Sequence, residues 1–206
     1  MAVSYLHDAF GGGFAAVDLP LWEGLDRDKL PVLRKMIERG LNSPPTSSLG
    51  RLFDGVAALV GLRSRVRFEG QAAMELEMIA DPAETGAYPH QWEKIEGVYQ
   101  VPTAPIVRAV VTDLQNGVSA AVISSRFHRG LVRLFSDLCR QIAADTGLDR
   151  VALSGGVFQN DTLLSALVRK LESEGLAVYT HRHLPANDGG ISLGQAVVAA
   201  ARLHAG

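Results

Sequence analysis

The sequence predicts an α/β protein, and three observations predict it. From Val151 onward, short apolar runs alternate with amphipathic segments in the order strand, helix, strand, helix. Each of those two runs leads into a segment rich in turn residues, first SGG and then PANDGG. Ahead of them, residues 1–85 carry helical rather than strand periodicity. The composition is that of a globular chain: 206 residues, 47% hydrophobic, 20% charged, with a formal net charge of −2. That balance excludes a disordered chain and offers no basic surface for nucleic acid. The single Cys139 excludes a disulfide framework and a multi-cysteine zinc module. No apolar run approaches the roughly 18 residues of a membrane span. The start, MAVSYLHDAF, has no basic region followed by a long apolar stretch, so the expected location is cytoplasmic, with no membrane partner.

The elements follow in order. Asp26 or Asp28 caps a helix with Leu30, Leu33, Met36 and Ile37 on one face, and Gly40 stops it. LNSPPTSS is a connection. Leu49, Leu52, Phe53, Val56 and Val60 then fall at helical spacing up to Gly61. A third helix is expected over Gln71 to Ala80, with Ala72, Ala73, Leu76 and Ile79 inward. Residues 86–101 are a candidate hairpin. Pro105 opens a helix bearing Ile106, Val110, Val111 and Leu114, closed by Asn116-Gly117. Ser119 starts a long helix to about Thr146, with Ile123, Phe127, Leu131, Leu134, Leu138 and Ile142 as its buried stripe. Val151–Leu153 reads as a buried strand. Asn160-Asp161 caps a helix with Leu163, Leu164, Leu167 and Leu171 inward, ended by Gly175. Leu176 to Thr180 is a second strand, and a last helix runs from Ile191 to Leu203. The order implies a parallel pair with a right-handed crossover, whose ligands bind beyond the carboxyl ends of the strands.

Four segments can carry chemistry. In Ser154-Gly155-Gly156-Val157-Phe158-Gln159-Asn160 a strand ends, two glycines follow and a helix begins. Such a loop turns backbone N–H groups toward an anion at a helix N-terminus, or is a tight turn that binds nothing. It is neither a Walker A loop nor a GxGxxG fingerprint. In Pro185-Ala186-Asn187-Asp188-Gly189-Gly190, Asp188 can hold a divalent metal, or Asn187 or Asp188 is only a cap. Asp54 in GRLFD can accept from ribose hydroxyls, or it pairs with Arg51. FEGQAAME offers small residues for close approach, with Glu69 able to start the helix and Glu75 or Glu77 able to reach a polar ligand group, or is an ordinary amphipathic helix. His128 follows a core Phe and reads as a hydrogen-bonded structural residue. His181 and His183 sit at strand spacing but are too few ligands for zinc. Cys139 has no base beside it and reads as packing.

Together, TSSLGRLFDGVAALVGL, FEGQAAMELE, RFHRGL, LSGGVFQN and PANDGGISLGQA, in that order, resemble the C-terminal part of the hydrogenase-maturation carbamoyltransferase family HypF, from about Tyr5 to Leu203. The part resembled is the second lobe of that family's Kae1-like domain, which belongs to the actin-like and sugar-kinase superfamily with its RNase H-like mixed sheets and flanking helices. The resemblance implies residues 1–85 as a helical region contributing to the nucleotide cleft and residues 86–206 as the α/β lobe. The first lobe and the upstream domains would be missing. It implies ATP and carbamoyl adenylate as ligands, and transfer of the carbamoyl group to the C-terminal cysteine of a HypE-like acceptor protein. It implies Gly155, Gly156 and Asn160 at the phosphates and ribose, Asp54 on the ribose side, Gly70, Gln71 and Glu75 beside the adenosine, and Asp188 on a divalent metal. The other metal ligands would lie in the missing lobe, since no HxxxH occurs here. No catalytic nucleophile is expected in the chain, because the acceptor brings the thiol. Two alternatives keep their place: a related O-carbamoyl- or tRNA threonylcarbamoyl-transferase, and a non-catalytic nucleotide-binding or interaction module. An apolar face left bare by the missing lobe would make the chain self-associate.

Overall fold

Apolar spacing becomes helix wherever the sequence carries it. The structure, a computed structural model, describes residues 1–204. Its helices are α1 (Ala2–Phe10), α2 (Leu30–Glu38), α3 (Leu49–Leu59), α4 (Gln71–Met78), α5 (Ala104–Gln115), α6 (Ala120–Thr146), α7 (Asp161–Ser173) and α8 (Ile191–His204). Its strands are β1 (Glu93–Ile95), β2 (Val98–Gln100), β3 (Arg150–Leu153) and β4 (Ala177–Thr180). The chain divides into two compact units, Met1–Leu134 and Phe135–Gly206. This division falls inside α6 and not at the change of composition near residue 85. Compactness follows packing, and α5 packs with α1 and α3 of the first unit although strands precede it in sequence.

The first unit is a helical core. Leu52, Phe53, Val56 and Leu59 of α3, Ala72 and Leu76 of α4, Ile106, Val107 and Val110 of α5, and Ile123, Phe127 and Leu131 of α6 are all buried. Phe53 meets Phe127 edge to face at 4.9 Å between ring centres. α1, which precedes the first helix expected from the sequence, joins the core through Leu6 and Ala9. Gly55 lets α1 approach α3, because a Cβ there would lie 2.7 Å from the Tyr5 ring. The segment after α4 is laced onto α6: the Asp81 N–H donates to Ala121 O, and the Tyr88 N–H to Arg126 O. Arg126 pairs with Glu84 at 3.3 Å and with Asp113 at 2.9 Å. Tyr88 donates its hydroxyl to that same Asp113, and burial with this bond pushes its phenol well above the ordinary range. The hairpin is shorter than the candidate span. Only Glu93–Ile95 and Val98–Gln100 pair, with Glu96 and Gly97 both at positive φ in the turn.

The second unit is α/β. β3 and β4 pair in parallel, with Val151 opposite Val178 and Leu153 opposite Thr180. They are joined by α7, whose Leu163, Leu167 and Leu171 are fully buried. Alternation then sorts the sheet. Leu153 is buried and Val151 and Val178 half-buried on one face, whereas Arg150, Ala152, Ala177 and Tyr179 on the other are exposed. The mixed sheet expected of the lobe is represented, among the described residues, by this pair alone. α8 is exposed along the described part of its length, including Ile191, Leu193, Val197 and Val198. Among the described residues no helix is long and apolar enough to cross a membrane.

Candidate functional site

The two glycine-bearing loops meet at the carboxyl end of the parallel pair. β3 stops at Leu153 and β4 at Thr180, which are register partners, so the chain leaves both strands at the same rim. The Gly155 N–H donates to the Ala186 carbonyl at 3.0 Å and ties one loop to the other. Gly155 has φ 113° and ψ 156°, a conformation essentially restricted to glycine. It turns the chain into a short helical turn, Gly156–Gln159, before α7 begins. Gly156 follows with ordinary backbone, and a Cβ there would come 3.7 Å from the Asn187 Cβ.

Asn160 is buried, and its Oδ1 accepts the Leu163 N–H at 2.7 Å, which caps α7. On the adjoining loop, Asn187 takes the cap: its Oδ1 accepts the Gly189 N–H at 3.0 Å. That releases Asp188, whose exposed carboxylate makes no hydrogen bond or ion pair among the described residues. Gly189 is tightly placed, since a Cβ there would lie 3.0 Å from the Pro185 ring.

A metal at Asp188 does not fit the residues present. Among the described residues no three His, Cys, Asp or Glu side chains gather as a site. His181 is occupied elsewhere: its Nε2 lies 2.8 Å from Ser154 Oγ. One monodentate or bidentate carboxylate is too few ligands to hold a divalent ion by itself.

The remaining expected residues belong to the first unit, where neighbours engage the side chains of Asp54, Gln71 and Glu75. Asp54, half-buried on α3, sits 3.3 Å from Arg51 Nη2 one turn away. Gly70, with φ 77°, is the left-handed residue from which α4 starts. Gln71 is buried; its Oε1 accepts the Arg67 N–H at 2.8 Å and its Nε2 donates to Glu75 at 3.0 Å. Glu75 is held by both arms of Arg63, at 2.6 and 2.8 Å. These hydrogen bonds, that from Arg63 first, keep the Glu75 carboxyl below the ordinary carboxylate range. Two open grooves of about 700 and 810 Å³ indent this unit, and neither is lined by Asp54, Gln71 or Glu75.

Sequence reasoning missed two partners. Arg63 lies twelve residues from Glu75, and no local pattern announces the pair. The contact of Ser154 with His181 did have a signal: once β3 and β4 are taken as parallel and in register, those residues form the next rung. His128 is the structural residue expected, buried, with Nδ1 2.8 Å from Ser124 O, and desolvation lowers its pKa. Burial also pushes the Cys139 thiol up, away from reactivity.

Comparison with known proteins agrees with this architecture. The family described as "Carbamoyltransferase, Kae1-like Domain, second subdomain" matches residues 1–195. Carbamoyltransferase HypF of Synechocystis is 35% identical over 95% of this chain and 26% of its own length. That of Rhodobacter capsulatus is 37% identical over 83% of this chain and 22% of its own. A crystal structure of full-length HypF in the phosphate- and nucleotide-bound form superposes with a TM-score of 0.83 at 41% identity, covering 94% of this chain and 26% of that one. T. kodakarensis HypF, at 23% identity and a TM-score of 0.68, shares the fold. The chain thus spans about a quarter of the length of those relatives. It belongs to the HypF carbamoyltransferase family, as the second subdomain of the Kae1-like domain.

Proposed function

We propose that this chain is the nucleotide-binding lobe of a carbamoyltransferase of hydrogenase maturation, acting in the cytoplasm within a larger two-lobed, actin-like domain. It would bind ATP and carbamoyl adenylate, and the carbamoyl group would pass to the C-terminal cysteine of a HypE-like acceptor. The observation that carries the proposal is the joining of the two loops, by the Gly155 N–H to Ala186 O bond, at the strand ends where ligands of parallel sheets bind. The HypF structure in its phosphate- and nucleotide-bound form, whose chain superposes over most of this one, supports the ligand class.

The residues divide the work. Gly155 and Gly156 bring backbone close to the phosphates, where N–H dipoles favour negative charge. Asn160 holds that bend onto α7 through the oxygen it gives to Leu163, so its contribution is the shape of the loop. Asp54, Gly70, Gln71 and Glu75 are the proposed contacts to the nucleoside. To reach a ligand, Asp54 exchanges its bond to Arg51, and Glu75 its bonds to Arg63, for bonds to hydroxyls or base edges. Catalysis is positioning of the mixed anhydride and stabilisation of charge on its carbonyl oxygen by preorganised N–H groups. The attacking sulfur comes from the acceptor.

The test supplies the remaining domains and offers three acceptors: a peptide ending in cysteine, a small alcohol and tRNA. The proposal expects nucleotide binding and transfer to the thiol, with affinity lowered by Asp54→Ala. Transfer to tRNA or the alcohol alone would reassign the acceptor. No nucleotide binding in the assembled enzyme would favour the non-catalytic interaction module.

A further inference from the structure

The Ser154–His181 contact pairs a hydroxyl with an imidazole at the strand-end rim, and nothing in the fold requires it. Both side chains are exposed, so neither is needed to satisfy a buried polar atom. They continue the open face of the sheet. Ala152 and Tyr179 are register partners on that face, and Ser154 and His181 stand one rung beyond, two residues along each strand. Ser154 is also the residue immediately before the Gly155 bend. Its hydroxyl therefore stands at the head of the loop proposed to carry the phosphates, with the imidazole 2.8 Å behind it.

We propose that Ser154 and His181 are the proton-accepting pair of the transfer step, an assignment that rests on the carbamoyltransferase reading above. The co-reactants are a carbamoyl adenylate and a protein thiol. The thiol sulfur attacks the carbamoyl carbon. A C–S bond forms, the C–O bond to the phosphate breaks, and the nucleoside monophosphate leaves with that electron pair on its oxygen. The thiol proton passes to Ser154 Oγ as the Ser154 proton passes to His181 Nε2. This assigns the ring proton of neutral His181 to Nδ1. The imidazolium then gives its proton to water at this exposed rim. Nothing is oxidised or reduced. Ser154 is not assigned as a carbamoylated nucleophile, because an O-carbamoyl serine is a urethane and would have to transfer uphill to a thiol. The charged and titratable groups nearest along the chain are Arg182 and His183, with Asp188 on the adjoining loop.

The experiment uses the assembled enzyme, preformed carbamoyl adenylate and a cysteine-ending acceptor, in single-turnover mode from pH 5 to 9. The variants are Ser154→Ala and His181→Gln, which keeps a polar partner for Ser154 without the imidazole, with His181→Ala added for chemical rescue. The assignment expects each variant to keep wild-type nucleotide affinity and to slow transfer by about 100-fold or more, the size of a lost general base. The slowing should shrink with a more acidic thiol that is already ionised, the fall in rate toward acid pH should be lost in His181→Gln, and added imidazole should rescue His181→Ala. Wild-type transfer rates in both variants overturn the assignment. So does a transfer loss that only mirrors lost nucleotide affinity, which is what a strand-end clip would give. A wild-type enzyme that transfers nothing to the thiol sinks the carbamoyltransferase reading itself, a result distinct from either.

Discussion

The two units of this chain solve the same burial problem unequally. In Met1–Leu134 the helices turn their apolar faces onto one another, and the rings of Phe53, Phe127 and His128 meet edge to face. In the second unit a two-stranded parallel sheet is covered on one face by α7, while the other face and α8 stay open. Parallel sheets are ordinarily covered on both faces, and two strands alone are marginal. The carboxylates follow the same contrast: in the first unit Asp54 and Glu75 are engaged by Arg51 and Arg63, whereas Asp188 in the second is unengaged among the described residues. The lesson is that the helical unit is organised for its own stability, and the α/β unit is organised around an open rim.

The largest expected effect sharpens that contrast. Phe127→Ala removes a ring that is 1% exposed and should cost about 3–5 kcal/mol in denaturant unfolding. Val197→Ala on α8, at 61% exposure, should stay within about 0.5 kcal/mol. Equal losses would mean that α8 is as well packed as the core, and the comparison would fail.

Gly155→Ala comes next. A side chain at φ 113° is strained, at a cost of about 1–3 kcal/mol, and the bend should relax away from Ala186. Amide exchange at residue 155 reports it: the protection of that N–H should be lost while that of α7 near Leu167 persists. Retained protection would show the bend to be unstrained.

These elements also show what a sequence carries and what it does not. The cap at Asn160, the Leu163–Leu167–Leu171 stripe and the parallel pair are legible because each is set by spacing within a few residues. α1 was not, because no capping side chain announces its start, and its place in the core depends on distant partners such as Gly55 beneath the Tyr5 ring. The division inside α6 was not, because it depends on packing across the chain rather than on local composition. At the site, the glycine bend and the Asn187 cap were readable. The Arg63–Glu75 bond was not, since long-range ion pairs leave no local period.

One pH effect belongs to the core of the first unit. His128 is buried, and desolvation lowers its folded pKa, so the folded state binds fewer protons than the unfolded chain. Stability is then full above the unfolded value of about 6.5 and is lost as pH falls from there toward the folded value. Thermal melts between pH 7.5 and 5 should show that decline, and His128→Gln should flatten it. An unchanged slope in the variant would assign the decline to another group.

The smallest effect on stability concerns the open surfaces. Leu193→Ser with Val197→Ser should hardly alter unfolding but should reduce self-association of the isolated chain, seen as a sedimentation coefficient that no longer rises with concentration. A wild-type chain that sediments as a monomer at every concentration would remove the basis for that expectation.

The central claim is that the joined loops at the strand ends hold the nucleotide, and Gly156→Ala tests it most directly. A Cβ there meets only the Asn187 Cβ, at 3.7 Å, an ordinary contact that the fold tolerates. It also places a methyl where a phosphate would approach the backbone. Calorimetric titration of the assembled enzyme with an ATP analogue should show an unchanged melting temperature and an affinity lower by about tenfold or more, the equivalent of about 1.4 kcal/mol. An affinity equal to wild type, with the fold intact, would contradict the claim.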